Sequence, residues 1–166
     1  MIATLILQAT LIYLPTMIAN AMPVFVGIGT PIDGGRVFID GRRVLGDGKT
    51  WEGFILGLSF GYCVGCIEAF ILHSFPYILI GFLGSLGALL GDIVGSFIKR
   101  RFGYRRGYPL IPLDQTDFTI GATIMLLVGG MDIEFTVFLI GLIMLFVLHL
   151  ISNRIAFMLG LKSVPW

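Results

Sequence analysis

Long apolar runs constrain this chain more than any other feature of its sequence. A bilayer core is about 30 Å thick, and a helix needs about 20 predominantly apolar residues to cross it. Five stretches qualify or nearly qualify, at residues 2–26, 54–73, 77–98, 118–131 and 135–152. Pro15, Asn20 and Pro23 interrupt the first, Asp92 lies in the third, and the fourth is short for a full crossing. Composition agrees: 57% of the residues are hydrophobic and 13% are charged, against about 45–50% and about 25% in a soluble domain. So few polar groups cannot cover a water-exposed sphere of this size. A soluble globular enzyme, a disordered chain and a nucleic-acid binder with a basic face are excluded. The expectation is an all-α integral membrane protein, one transmembrane domain over residues 1–166 with five spanning helices. No Lys or Arg precedes the first run and no clear cleavage site follows, so that run reads as a retained helix rather than a signal peptide.

The charges that remain are concentrated. Loop A, residues 27–53, and loop B, residues 99–117, hold 15 of the 21 charged residues and 9 of the 11 basic ones. Positively charged loops stay in the cytoplasm. Five spans then place the N-terminus outside, both long loops inside and the C-terminus inside. A topological signal requires only basic residues, yet loop A also carries Asp33, Asp40, Asp47 and Glu52, and loop B ends in Asp114 and Asp117.

Asp92 is the most informative single residue. An ionisable group inside a membrane normally faces the bundle interior or a water-filled cavity. Ser96 and Lys99, four and seven residues on, share its helix face, and that face meets loop B. It is either an Asp–Lys pair at the interface or one wall of a polar site. Gly81, Gly84, Gly87, Gly91 and Gly95 on the same span suit close helix packing, which would bring other helices near Asp92. Asp114 and Asp117, three apart at a helix start, present both carboxylates on one side, although capping would explain one of them. Mg²⁺ takes hard oxygen ligands, commonly one or two carboxylates together with substrate phosphates. Asp92, Asp114 and Asp117 could converge on such an ion, with Lys99 and nearby arginines on the phosphates.

Loop A reads Gly27-Ile28-Gly29-Thr30-Pro31-Ile32-Asp33-Gly34-Gly35-Arg36 and later Gly46-Asp47-Gly48-Lys49-Thr50-Trp51-Glu52-Gly53. Glycine backbone can approach an anion and a lysine adds a point charge, but the spacing is not that of a Walker A loop. Trp51 also suits an interface anchor. Asn20 could cap, bond a neighbouring helix or contact a ligand. Cys63 and Cys66 read as buried apolar cysteines, and Glu68 as a structural hydrogen-bonding group. His73 and His149 receive no role.

Three segments together resemble the membrane CTP:phosphatidate cytidylyltransferase family. They are Gly48-Lys49-Thr50-Trp51-Glu52-Gly53-Phe54, then Gly91-Asp92 with Ser96-Phe97-Ile98-Lys99-Arg100, then Pro112 with Asp114-Gln115-Thr116-Asp117. The small size, the Pro31-Ile32-Asp33-Gly34-Gly35 segment and the Asn20 to Pro23 stretch are most similar to the family's archaeal branch, the CDP-archaeol synthases. Where the general signature has Lys-Asp this chain has Arg105-Arg106, and Gln115 replaces the Arg between the final acids.

The resemblance implies transfer of CMP from CTP to a lipid phosphate, with release of pyrophosphate. For the archaeal branch the acceptor is 2,3-bis-O-(geranylgeranyl)-sn-glycerol 1-phosphate. It further implies Mg²⁺ on Asp92, Asp114 and Asp117, CTP phosphates on Lys49, Lys99 and Arg100, and nucleotide contacts from Asn20, Asp33, Gly46, Thr50 and Ser96. The site would face the cytoplasm from the cell membrane. The rival readings are a small ion-coupled transporter or channel using Asp92, and another lipid-headgroup enzyme such as a membrane acyltransferase.

Overall fold

The computed structural model describes residues 1–105 and 107–165. Arg106, whose role the sequence leaves open, lies outside the described residues. In chain order the elements are α1 (Ile2–Ala21), a 3-10 turn (Met22–Val26), α2 (Trp51–Leu72), α3 (Pro76–Arg101), α4 (Leu113–Val128) and α5 (Phe135–Met158). Four segments are long and apolar enough to cross a membrane: Ile2–Val26, Trp51–Leu72, Pro76–Arg101 and Phe135–Met158.

The fourth apolar run differs from expectation. Its helix starts five residues earlier than the hydropathy suggested and has 16 residues, a rise of about 24 Å. It runs antiparallel to α3, with Asp117 at Gly95 and Gly129 at Leu83. It therefore stops seven residues short of the far end of α3, about 10 Å. The fifth run errs the other way, since α5 continues six residues beyond the expected boundary and takes Asn153 into the helix.

Missing side chains set the helix packing. On α2, Gly57 lies against the Ala19 carbonyl, Gly61 against Ser85 and the Pro15 carbonyl, and Gly65 against Gly81 of α3. On α3, Gly84 meets Thr16 of α1, whereas Gly87, Gly91 and Gly95 meet α4 at Gly121 and Asp117. The α3 glycines thus serve three neighbours, making α3 the central helix; small residues at such spacings let backbones touch. α5 packs on α1 and α4. The apolar core joins Tyr13, Ala88, Phe118, Ala122 and Leu145, and the Tyr13 hydroxyl is satisfied by Thr123 Oγ1 at 2.8 Å. Ile55, Phe70, Ile124 and Ile143 point outward and are exposed, as a lipid-facing surface requires. Glu68 is buried, and among the described residues neither of its carboxyl oxygens has the hydrogen bond that the sequence suggested.

Both loops fold over one end of the bundle. In loop A, Ile32 N–H donates to the Lys49 carbonyl (2.8 Å) and Trp51 N–H to the Thr30 carbonyl (3.0 Å). Arg36 to Val44 forms a small hairpin around Gly41, whose φ of 76° suits glycine. Arg101 at the end of α3 fastens the loop down. Its guanidinium donates to Asp40 Oδ1 (2.6 Å) and the Arg43 carbonyl (2.6 Å). It also lies over the Phe38 and Phe97 rings, 4.6 and 4.9 Å from their centroids.

Candidate active site

Beneath the loops the helix ends collect polar groups that no apolar bundle would hold without purpose. Asp92, in the fifth turn of α3, pairs with Lys49 of loop A. Lys99, two turns on, pairs with Asp114 of α4 at 2.6 Å. The shared face of Asp92 and Lys99 left open whether the two pair with each other or line one polar site. Seven residues separate them by about 10 Å, and each finds an opposite charge on another element instead. Lys99 and both pairs' remaining members are only partly exposed.

Neither acid of α4 is its cap. The capping residue is Pro112, with no side-chain bond. Asp114 Oδ2 also accepts from Leu110 N–H at 3.0 Å. Asp117 is buried; one oxygen accepts from Phe118 N–H at 2.7 Å, and the other lies where a Cβ on Gly95 would be. Asp92 and Asp114 are close enough for their charges to act on Asp117. Three carboxylates thus face two lysines at one end of the molecule. Among the described residues no three acidic, His or Cys side chains are already gathered into a ligand set.

The remaining site residues from the sequence divide by what they touch. Asp33 is turned into loop A, its side chain 1% exposed. It accepts from Gly35 N–H (3.1 Å), Leu45 N–H (2.9 Å), Gly46 N–H (3.0 Å) and Arg43 Nη2 (2.8 Å). Burial alone would raise its pKa, but the Arg43 bond and those backbone donors outweigh it and hold the carboxyl well below the usual range. Asp33 therefore shapes the loop, and Gly46 is one of the points it grips. Thr50 caps α2, its hydroxyl accepting from Gly53 N–H at 3.2 Å. Lys49, between these two anchors, is aimed at Asp92. Asn20 bonds a neighbouring helix, its amide 3.3 Å from His149 Nδ1 of α5. Ser96 is half-buried one turn beyond Asp92. The Arg100 carbonyl lies 3.4 Å from Arg42 Nη1.

Three residues without a sequence-derived role complete the mouth. His149 stacks on Phe118, with ring centroids 5.4 Å apart. One turn on, Asn153 is buried and accepts from Lys162 Nζ at 2.8 Å. Lys162 comes from the C-terminal tail and feels the charges of Lys49, Asp92, Asp114 and Lys99. Burial, followed by the charge of Lys49, lowers its pKa from the ordinary lysine value. The available signal was the polar His149 and Asn153 one turn apart at the end of the last apolar run, together with a lysine able to fold back on them.

A family model described as CarS-like, CDP-archaeol synthase, matches residues 2–166. The chain belongs to the CDP-archaeol synthase family. The CDP-archaeol synthase of Sulfurisphaera tokodaii is 47% identical over 97% of this chain and 96% of its own length. That of Sulfolobus acidocaldarius is 45% identical over 97% and 98%. A solved structure of an intramembrane enzyme for archaeal membrane lipids biosynthesis superposes with a TM-score of 0.84, at 42% identity, covering 89% of this chain and 94% of that one. This CDP-archaeol synthase family member is thus a multi-pass membrane enzyme, a CTP-dependent nucleotidyltransferase of phospholipid biosynthesis. The transporter, channel and acyltransferase readings fall.

Proposed function

We propose that the polar mouth joins CMP from CTP to 2,3-bis-O-(geranylgeranyl)-sn-glycerol 1-phosphate. An oxygen of the acceptor phosphate attacks the α-phosphorus of CTP. The bond from that phosphorus to the bridging oxygen breaks, pyrophosphate leaves, and CDP-archaeol forms. The acceptor is already an anion, so the reaction needs no general base. What it needs is the alignment of two anions that repel each other, with stabilisation of the charge that builds on the leaving group.

The observation that carries this reading is the exchange of charges available in the mouth. Lys49 is held by Asp92 and Lys99 by Asp114, so both ammoniums are pre-positioned without substrate. Three hard carboxylates from two glycine-packed helices suit Mg²⁺. Asp92, Asp114 and Asp117 would hold it. An ion held there would supply positive charge to offset that of the reacting phosphates. Lys49 and Lys99 turn from their carboxylates to the CTP phosphates, with Arg100 assisting. Asp33 keeps the Gly46 to Lys49 turn in shape, Thr50 fixes the start of α2 behind it, and Asn20 and Ser96 line the nucleotide side.

Placement suits both substrates. The two loops lie at one end of the bundle, joined through Arg101 and Asp40, so a single side serves CTP. By the distribution of basic residues that side is the cytoplasm of the cell membrane, with the N-terminus outside and the C-terminus inside. Odd parity needs five spans, and α4 completes the fifth with the Gly129 to Glu134 segment that follows it. The acceptor's phosphate then lies at headgroup depth beside Asp92, with its chains in the bilayer. The test is pyrophosphate release from CTP with Mg²⁺ and the isoprenoid ether acceptor in vesicles. The expected result is release that requires all three components and is slower with a diacyl phosphatidic acid. Absence of release with either acceptor overturns the reading.

A further inference from the structure

The outward side of α3 runs on into loop A. Leu79, Phe82, Leu90 and Val94 are exposed, and at 3.6 residues per turn they form one stripe along the helix. Phe97 is the next position on that stripe, one turn short of the helix end at Arg101. It is only partly exposed, because loop A covers it. The Phe38 ring meets it edge-on, with centroids 5.4 Å apart, and the Arg101 guanidinium lies over both rings. Asp92 is two residues from Val94, about 200° round the helix. The hairpin from Arg36 to Val44 is therefore held beside the last turn of a membrane-spanning helix, on the side facing lipid and away from Asp92.

Its own outer face is apolar. Val37 and Ile39 flank Phe38 and are 59% and 95% exposed. Neighbours in an extended segment project to opposite sides, so with Phe38 turned to α3 these two are turned away from it. Asp40, the acid at the tip, is taken up by Arg101. Apolar side chains clustered on an otherwise polar loop mark an interaction surface. Continuity decides what covers this one. A surface laid over the lipid-facing stripe, one turn from the helix end, faces what the stripe faces. Interfacial elements bury an apolar face about 5–10 Å into the boundary between headgroups and chains, which is this depth. The inner end of the hairpin leads to the site: Arg43 holds both Asp33 and Asp47, and Asp47 is two residues before Lys49.

We propose that the Arg36 to Val44 hairpin is seated in the bilayer, with Val37 and Ile39 inserted at the headgroup boundary of the leaflet on the loop side. The membrane surface then helps to fix loop A, and through Arg43 the approach to Lys49. The partner is lipid and not a second protein. The proposal needs α3 to cross the membrane and does not depend on the chemistry at Asp92 and Lys49.

Photolabelling of the wild-type protein in vesicles tests it without a variant. A lipid carrying a diazirine on the chain carbons next to the headgroup should leave adducts on Val37 and Ile39, read by mass spectrometry. A lipid with the diazirine at the chain end should label Leu90 and spare the hairpin. No lipid adduct on Val37 or Ile39, the result if water or another protein covers them, overturns the proposal. Ile39→Asp gives a second measurement. Ile39 has almost no packing within the protein to lose, so the variant should fold, and any change in the hairpin reports the bilayer. Trypsin should cut after Arg36, Arg42 or Arg43 at least about tenfold faster than in the wild type when both are in vesicles. An equal rate overturns the proposal.

Discussion

Gly95 and Asp117 show how much one hydrogen can matter. A Cβ on Gly95 would overlap Asp117 Oδ2, so Gly95→Ala should push that carboxylate off its place without a gap or a new charge. The expected outcome is a loss of turnover of at least about a hundredfold, as for a misplaced reacting group, with helical circular dichroism retained. Asp33 carries a different kind of claim, about stability. Its folded-state pKa is depressed, so the stabilisation it gives loop A is complete above the unfolded carboxyl value, about 3.9. It is lost as pH falls below that value toward the folded one. Melting curves of the wild type should therefore contain an acid-labile component below about pH 4 that Asp33→Asn lacks. At neutral pH the same variant should lose about 2 kcal/mol and raise the KM for CTP. These two acids also mark where residue patterns were legible. Asp117 could be picked out by its spacing from Asp114. The inward turn of Asp33 could not, because its four donors are brought together only by the hairpin of loop A.

At the scale of elements, the joint between loop A and α3 is the part most open to test. Arg101 holds Asp40, the Arg43 carbonyl and two aromatic faces at once. Arg101→Ala should leave the helices intact and free the loop, accelerating proteolysis between Arg36 and Val44 and raising the KM for CTP about tenfold, equivalent to about 1.4 kcal/mol. An unchanged cleavage rate contradicts the joint. The close seam of α3 with α4 makes the complementary prediction. Gly121→Ala would drive a Cβ into the Gly87 carbonyl and Gly91, costing about 1–3 kcal/mol by overpacking, visible as a lower melting temperature in detergent. The glycines of α3 were readable as a packing stripe. Which neighbour each one serves was not, since period alone gives a face and not its partner.

For the whole molecule, hydropathy located the helices and charge located the two loops that meet at one end of the bundle, because both are one-dimensional properties. The apolar spans are shorter than the helices because polar residues continue them: Asp114 and Asp117, read as a helix start, lie in the first turns of α4, and Asn153 lies inside α5. His149 lay within the expected fifth span without a role, and the contact of Asn153 with Lys162 depends on a tail folding back over the bundle. The pairing of Asp92 with Lys49 was not legible either, since it joins groups 43 residues apart in the chain. The central claim is that carboxylates from α3 and α4 and the lysines of loop A and α3 form one centre that moves CMP from CTP to lipid. The most direct measurement follows CTP labelled in its α-phosphate, with Mg²⁺ and isoprenoid ether lipid phosphate in vesicles, for the wild type and for Asp117→Asn. The label should pass to the lipid with the wild type, and should stay in CTP with a variant that still folds. Wild-type transfer by Asp117→Asn would contradict the account.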